Sequence, residues 1–110
     1  MQMDQMRQTT ERIEQCADEA LQAVQRAQSG TPDELRDCVK QMHQQARELR
    51  DVARQANDEQ QIAGQVETLE QTGDRAKQAC RSAGSSIDPQ LQSAVMRAHD
   101  EISSFKKQME

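Results

Sequence analysis

Sliding the chain along itself by 56 residues brings "ERIEQCADEALQAVQRAQS" (11–29) over "ETLEQTGDRAKQACRSAGS" (67–85), and 13 of the 54 overlaid positions are identical. Chance matching in so biased a composition gives roughly four or five identities, so the pattern is an internal repeat. The identities include Glu11/Glu67, Glu14/Glu70, Asp18/Asp74, Ala20/Ala76, Ala23/Ala79, Ala27/Ala83, Leu35/Leu91, Val39/Val95 and His43/His99. Conservative matches such as Met6/Ile62, Ile13/Leu69, Ala46/Ile102 and Leu49/Phe105 extend it. Whatever this chain folds into has to be built twice from one unit.

That unit is helical. Leu, Ile, Val and Phe number only 15 of 110 residues, whereas 13 alanines, 19 glutamines and many Glu and Arg favour helix over a thin core. Scarce aromatic and β-branched residues argue against sheets. Only Pro32, Pro89, Gly30, Gly64, Gly73 and Gly84 offer punctuation. In "SGTPDEL", Gly30 suits a helix stop, Thr31 an N-cap, Pro32 the first helical position and Glu34 the reciprocal capping-box position. "AGSSIDP" repeats that grammar with Gly84 as stop, Asp88 as cap and Pro89 at the first position.

A third break is set by phase. Leu35, Cys38, Val39, Met42, Ala46, Leu49 and Ala53 share one helical face, and Ile62, Leu69, Gly73, Ala76, Cys80 and Ala83 share another. On one continuous helix these faces point roughly 160° apart and cannot bury against one core. The chain is therefore expected to reverse at Asn57-Asp58, with Asn57 as C-cap, Asp58 as N-cap and Gln61 in the capping-box position. The rival is an unbroken helix from Pro32 to about Ala83, which requires an intertwined dimer. The expected fold is all-α: one domain over 1–110, an antiparallel four-helix bundle of two duplicated αα-hairpins (repeats 1–56 and 57–110). Its helices run over about 3–28, 32–56, 58–83 and 88–109. Small residues on the first and third helices admit bulky ones from the second and fourth, so enlarging Ala20 or Ala76 is expected to overpack the seam.

Functional residues are sparser. On the second helix, Arg36, Lys40, His43, Arg47, Arg50 and Arg54 follow at intervals of 4, 3, 4, 3 and 4, a basic stripe beside the buried face. The fourth helix lacks it, having Gln92, Met96, His99, Ser103, Lys106 and Glu110 at matching positions. The stripe is expected to face the acidic side of the first helix, Glu14 and Asp18 above all. His43 and His99, at the edges of their stripes, are expected near Asp18 and Asp74. Leu21, Val52 and Met96 are apolar where their repeat counterparts Lys77, Gln108 and Lys40 are polar, and together with the basic stripe Arg36, Lys40, His43, Arg47, Arg50 and Arg54, which suits an acidic partner or phosphate, they are candidates for a contact surface.

Other chemistries find less support. The repeated ExxEQxxD carboxylates point away from the core, and inward Glu-x-x-His ligands are absent. Cys16, Cys38 and Cys80 fall on buried stripes, without CxxC or Cys/His metal spacing, and read as small apolar fillers rather than a disulfide. Histidine phosphotransfer domains are four-helix bundles of similar size, but "HQQAR" and "HDEIS" stand where those domains carry HxxKG. Four-helix b-type cytochromes use a Met near one end and a His near the other, and Met6 with His99 is the comparable pair. A net charge of −5 without stacking aromatics gives nucleic-acid binding little support.

The start "MQMDQMRQ" lacks the basic and apolar regions of a signal peptide, and no apolar run approaches transmembrane length. The expectation is a soluble cytoplasmic interaction or adaptor module, monomeric or homodimeric, with no catalytic, cofactor-binding or metal-ligating residues. Its partner is a protein rather than nucleic acid or membrane. The alternatives are a metal- or haem-binding bundle and a phosphohistidine signalling domain.

Overall fold

The computed structural model describes residues 2–27, 31–55 and 58–109. Its helices are α1 (Met3–Ala27), α2 (Asp33–Gln55), α3 (Glu59–Ala83) and α4 (Pro89–Met109), with one 3₁₀ turn at Gly84–Ser86. The starts obey the repeat offset: α1 and α3 begin at 3 and 59, α2 and α4 at 33 and 89. Each helix packs on its two neighbours, α1 on α2 and α4, α3 on α2 and α4, so the cross-section is a square. The body measures 42 × 22 × 17 Å, long in one direction because each helix spans its whole length.

Local chemistry sets the boundaries. Asp58 caps α3, its carboxylate accepting from the backbone N–H of Gln60 and Gln61, and Asp88 accepts from Gln90 N–H at 2.8 Å at the start of α4. Gly84 ends α3 at φ 62°, its N–H donating to the carbonyls of Arg81 and Cys80. One expectation needs correcting. The first intrahelical bond of α2 runs from Arg36 N–H to the Pro32 carbonyl, which puts Pro32 rather than Thr31 at the flanking position. Pro32 and Asp88 are repeat counterparts, so both hairpins start their return helix at the same place. The expected stop at Gly30 and C-cap at Asn57 lie outside the described residues.

Because α2 and α3 pack side by side, their apolar stripes meet one core. The single long helix of the rival reading is thereby replaced by a hairpin. Every residue of the expected α2 stripe is buried. On α3, Ile62, Leu69, Gly73, Ala76 and Cys80 are buried as expected, joined by Val66, Thr72 and Ala79, while Ala83 is half-buried. Small Ala17, Ala20, Ala23, Gly73, Ala76 and Ala79 line α1 and α3; bulky Leu35, Met42, Leu49, Leu91, Ile102 and Phe105 fill from α2 and α4. Full burial of such a side chain is worth about 1.5–3 kcal/mol. Thr9, Thr10 and Thr72 are buried as well, their hydroxyls satisfied by donating to carbonyls one turn back in their own helices.

Candidate functional site

Both histidines sit at the edge of the core, where a helix stripe turns from apolar to polar. Across the α1–α2 seam, His43 Nε2 stands 3.4 Å from Asp18 Oδ1 and 3.9 Å from Glu14 Oε1. Glu14 is also 3.6 Å from Arg50, and Arg54 reaches Glu11 at 3.2 Å. In the α3–α4 seam His99 Nε2 donates to Asp74 at 2.7 Å and Lys106 donates to Glu70 at 2.8 Å. The four positions correspond through the repeat: Asp18/Asp74, Glu14/Glu70, His43/His99 and Arg50/Lys106. Asp18 and Asp74 are 44% and 61% exposed, so solvent screens these contacts to about 0–1 kcal/mol each.

This geometry bears on each sharper chemistry. Among the described residues no group of three or more His, Cys, Asp or Glu side chains is arranged to hold a metal ion. In both histidines Nε2 faces carboxylate, which repels an incoming phosphoryl group and holds the ring by its nitrogen. His99 Nδ1 is shielded and makes no hydrogen bond among the described residues, Asp100 Oδ1 standing 3.6 Å away. Arg12 pairs with Glu101 and Glu19 with Arg97 across α1–α4. That register places core Met6 about eight residues of helix from His99, on the order of 12 Å along the axis, too far to share one haem iron.

The basic stripe divides. His43, Arg50 and Arg54 face α1 carboxylates, whereas among the described residues Arg36 pairs only within its own helix, with Asp33 at 3.7 Å. Lys40 and Arg47 are exposed, and among the described residues no carboxylate pairs with either.

Leu21, Val52 and Met96 do not form one surface. Leu21 follows Glu14 and Asp18 by seven and three residues and so lies on the α1–α2 edge. Met96 precedes His99 by three and lies on the α3–α4 edge. Val52 follows Gln45 and Glu48, which line the α2–α3 seam with Gly64 and Thr68. Leu21 and Val52 are partly buried against the core, and Met96 is half-buried. Antiparallel register adds the reason. Three residues beyond Asp18 and three before His43 stand Leu21 and Lys40; the same steps from Asp74 and His99 give Lys77 and Met96. Each seam holds one apolar residue and one lysine at that level, with the helices exchanged. A lysine stem at this level is long enough to lie over an apolar neighbour with its ammonium in water, an arrangement under which the departures from the repeat would compensate each other within a seam.

All three cysteines are free thiols. Cys38 and Cys80 are buried, while Cys16, expected inside, is half-buried at the α1–α4 seam. Burial pushes all three thiols above their ordinary range; for Cys80 the neighbouring Cys38 adds to this, and for Cys16 Glu101 and Glu19 do. They are poor thiolates and poor nucleophiles near neutrality.

A further asymmetry lies at the far end of the hairpins from Gly84. Arg7 of α1 lies across the end of α2, its Nε donating to the Ala53 carbonyl at 2.9 Å. Its repeat counterpart is Ala63. There a groove of about 350 Å³ opens, lined by Ala63, Val66, Glu67, Lys106 and Met109. These are the counterparts of Arg7, Thr10, Glu11, Arg50 and Ala53, so the groove is the Arg7 site without its arginine. Among the described residues no cation pairs with Glu67, whereas its counterpart Glu11 meets Arg54. The Arg7/Ala63 mismatch was the available signal, but side-chain loss between repeats has no meaning until the register shows what the side chain covered.

Compared with known protein families, with curated proteins and with solved structures, the chain matches none.

Proposed function

We propose that this protein is a non-catalytic interaction module that engages a protein partner through its second hairpin. One observation carries this reading: the groove of Ala63, Val66, Glu67, Lys106 and Met109 stands open where the first hairpin is covered by its own Arg7. A recess with an apolar floor and a rim carboxylate, Glu67, with which no cation pairs among the described residues suits an inserted side chain, the way anchor residues seat in protein interfaces. Exposed Lys40 and Arg47 on the first hairpin supply positive charge for steering an acidic region of a partner. Among the described residues no helix is long and apolar enough to cross a membrane. Cytoplasmic residence, supported by thiols that remain unpaired, and a monomeric or homodimeric state belong to the same proposal.

The test is a photoreactive side chain at Glu59, exposed one turn before Ala63, in the full chain inside cells. A discrete cross-linked partner is expected from Glu59, lost on Ala63→Arg, with none from exposed Gln15. Absence of any such product overturns the module reading; a stoichiometric metal or Soret band that disappears on His99→Ala replaces it with a metal or haem protein.

A further inference from the structure

We infer that the groove at the end of the α3–α4 seam is a receptor for an arginine side chain presented by the partner protein; the inference rests on the interaction-module reading and names the chemistry that reading leaves open. The duplication supplies the template. In the first hairpin an arginine occupies this position, its aliphatic stem running past the α1–α2 seam and its Nε donating to Ala53 of the last turn of α2. Met109 holds the corresponding place in the last turn of α4, where carbonyl groups concentrate partial negative charge.

The floor suits an aliphatic stem better in the second hairpin than in the first. Buried Val66 replaces Thr10, and Met109, packed against the core, replaces Ala53. Glu67 adds a carboxylate at the rim that an entering guanidinium can meet with a charge-assisted hydrogen bond. Lys106 also lines the groove, but its ammonium donates to Glu70 at 2.8 Å. Its counterpart Arg50 pairs with Glu14 at 3.6 Å, one helical turn from the Ala53 carbonyl that Arg7 reaches, so a cation at this position coexists with an arginine at the end of the seam. A planar fork that reaches both a carbonyl and a carboxylate favours arginine over lysine, whose ammonium is a more strongly hydrated point charge.

The experiment titrates the full chain with acetyl-Gly-Arg-Gly-amide and reads backbone amide shifts, with acetyl-Gly-Lys-Gly-amide as comparison. Saturable shifts are expected at Ala63, Val66 and Met109, at millimolar peptide. Ala63→Arg, which fills the groove from within and removes nothing from the core, should weaken binding at least tenfold. Glu67→Gln should weaken it about threefold. Arg7→Ala should open a second site with new shifts at Thr10 and Ala53; should that variant unfold, Ala63→Arg still decides. No saturable shift, equal binding of the lysine peptide, or binding unchanged by Ala63→Arg overturns the inference. If the Glu59 cross-link forms while the arginine peptide fails to bind, the arginine receptor falls and the interaction module stands.

Discussion

The two hairpins fill equivalent core positions with different side chains, and among the described residues only the first closes its far end with an arginine. Around the His43–Asp18 level the first hairpin buries Ala17, Met42, Ala46 and Leu49, and closes its end with Arg7. The second buries Gly73, Ala98, Ile102 and Phe105 at the same positions and leaves Ala63 beside an open groove. A Cβ added at Gly73 would stand 3.7 Å from both His99 Cδ2 and Ile102 Cδ1, so the glycine sits directly against the residue that gained bulk. The halves diverge by exchange between facing core partners, while the His43–Asp18/His99–Asp74 and Arg50–Glu14/Lys106–Glu70 pairs stay in place. Seams between hairpins behave differently. Glu19–Arg97 in α1–α4 corresponds to Arg75–Gln41 in α2–α3, where an ion pair has become a neutral-to-cation hydrogen bond.

Phe105→Ala empties the largest buried position of the second hairpin and should cost about 3–5 kcal/mol in denaturant unfolding. A loss below about 1 kcal/mol would mean that the extra bulk of this half is not its keystone. Next, Ala46→Ile gives the first hairpin the bulk of Ile102 opposite Ala17 instead of glycine, and should cost about 1–3 kcal/mol by overpacking. Adding Ala17→Gly should recover a coupling of at least about 0.5 kcal/mol, and strict additivity of the two changes would refute the exchange.

Smaller effects test the outer edge. Leu21→Lys puts two lysines at one level of the α1–α2 seam and uncovers apolar surface, and is expected to cost about 1 kcal/mol. Lys40→Met in the same chain recreates the Lys77/Met96 arrangement and should return stability to within about 0.5 kcal/mol of the parent. If the double variant is no better than the single, the lysine and apolar residue do not share a seam. Smallest of all, a double-mutant cycle on His99–Asp74 should give a coupling of about 0.5–1 kcal/mol, and the longer His43–Asp18 contact only a few tenths. A larger value for His43 would show that Glu14 and Asp18 act on it together.

Much of this architecture is written in short-range signals. The Asp58 and Asp88 caps, the left-handed Gly84 and the α2 stripe depend on residues within a turn or two of one another, so they are legible along the chain. The His–Asp pairs were legible because the repeat displays them twice. The apolar departures were not, since Leu21, Val52 and Met96 acquire meaning only from the residues opposite. Pro32 was misplaced by one position because proline tolerates the first helical turn, yet the return helix must start where its hairpin partner requires.

By itself the sequence determined that this chain is a duplicated pair of helical hairpins with histidines at equivalent edges, because helical period and capping are local properties of the backbone. Tertiary structure alone decided which side chains face across a seam, that Lys40 shares a level with Leu21, and that Ala63 uncovers what Arg7 covers. Those relations depend on antiparallel register, which brings residues more than forty positions apart, such as Arg7 and Ala53, within hydrogen-bonding distance.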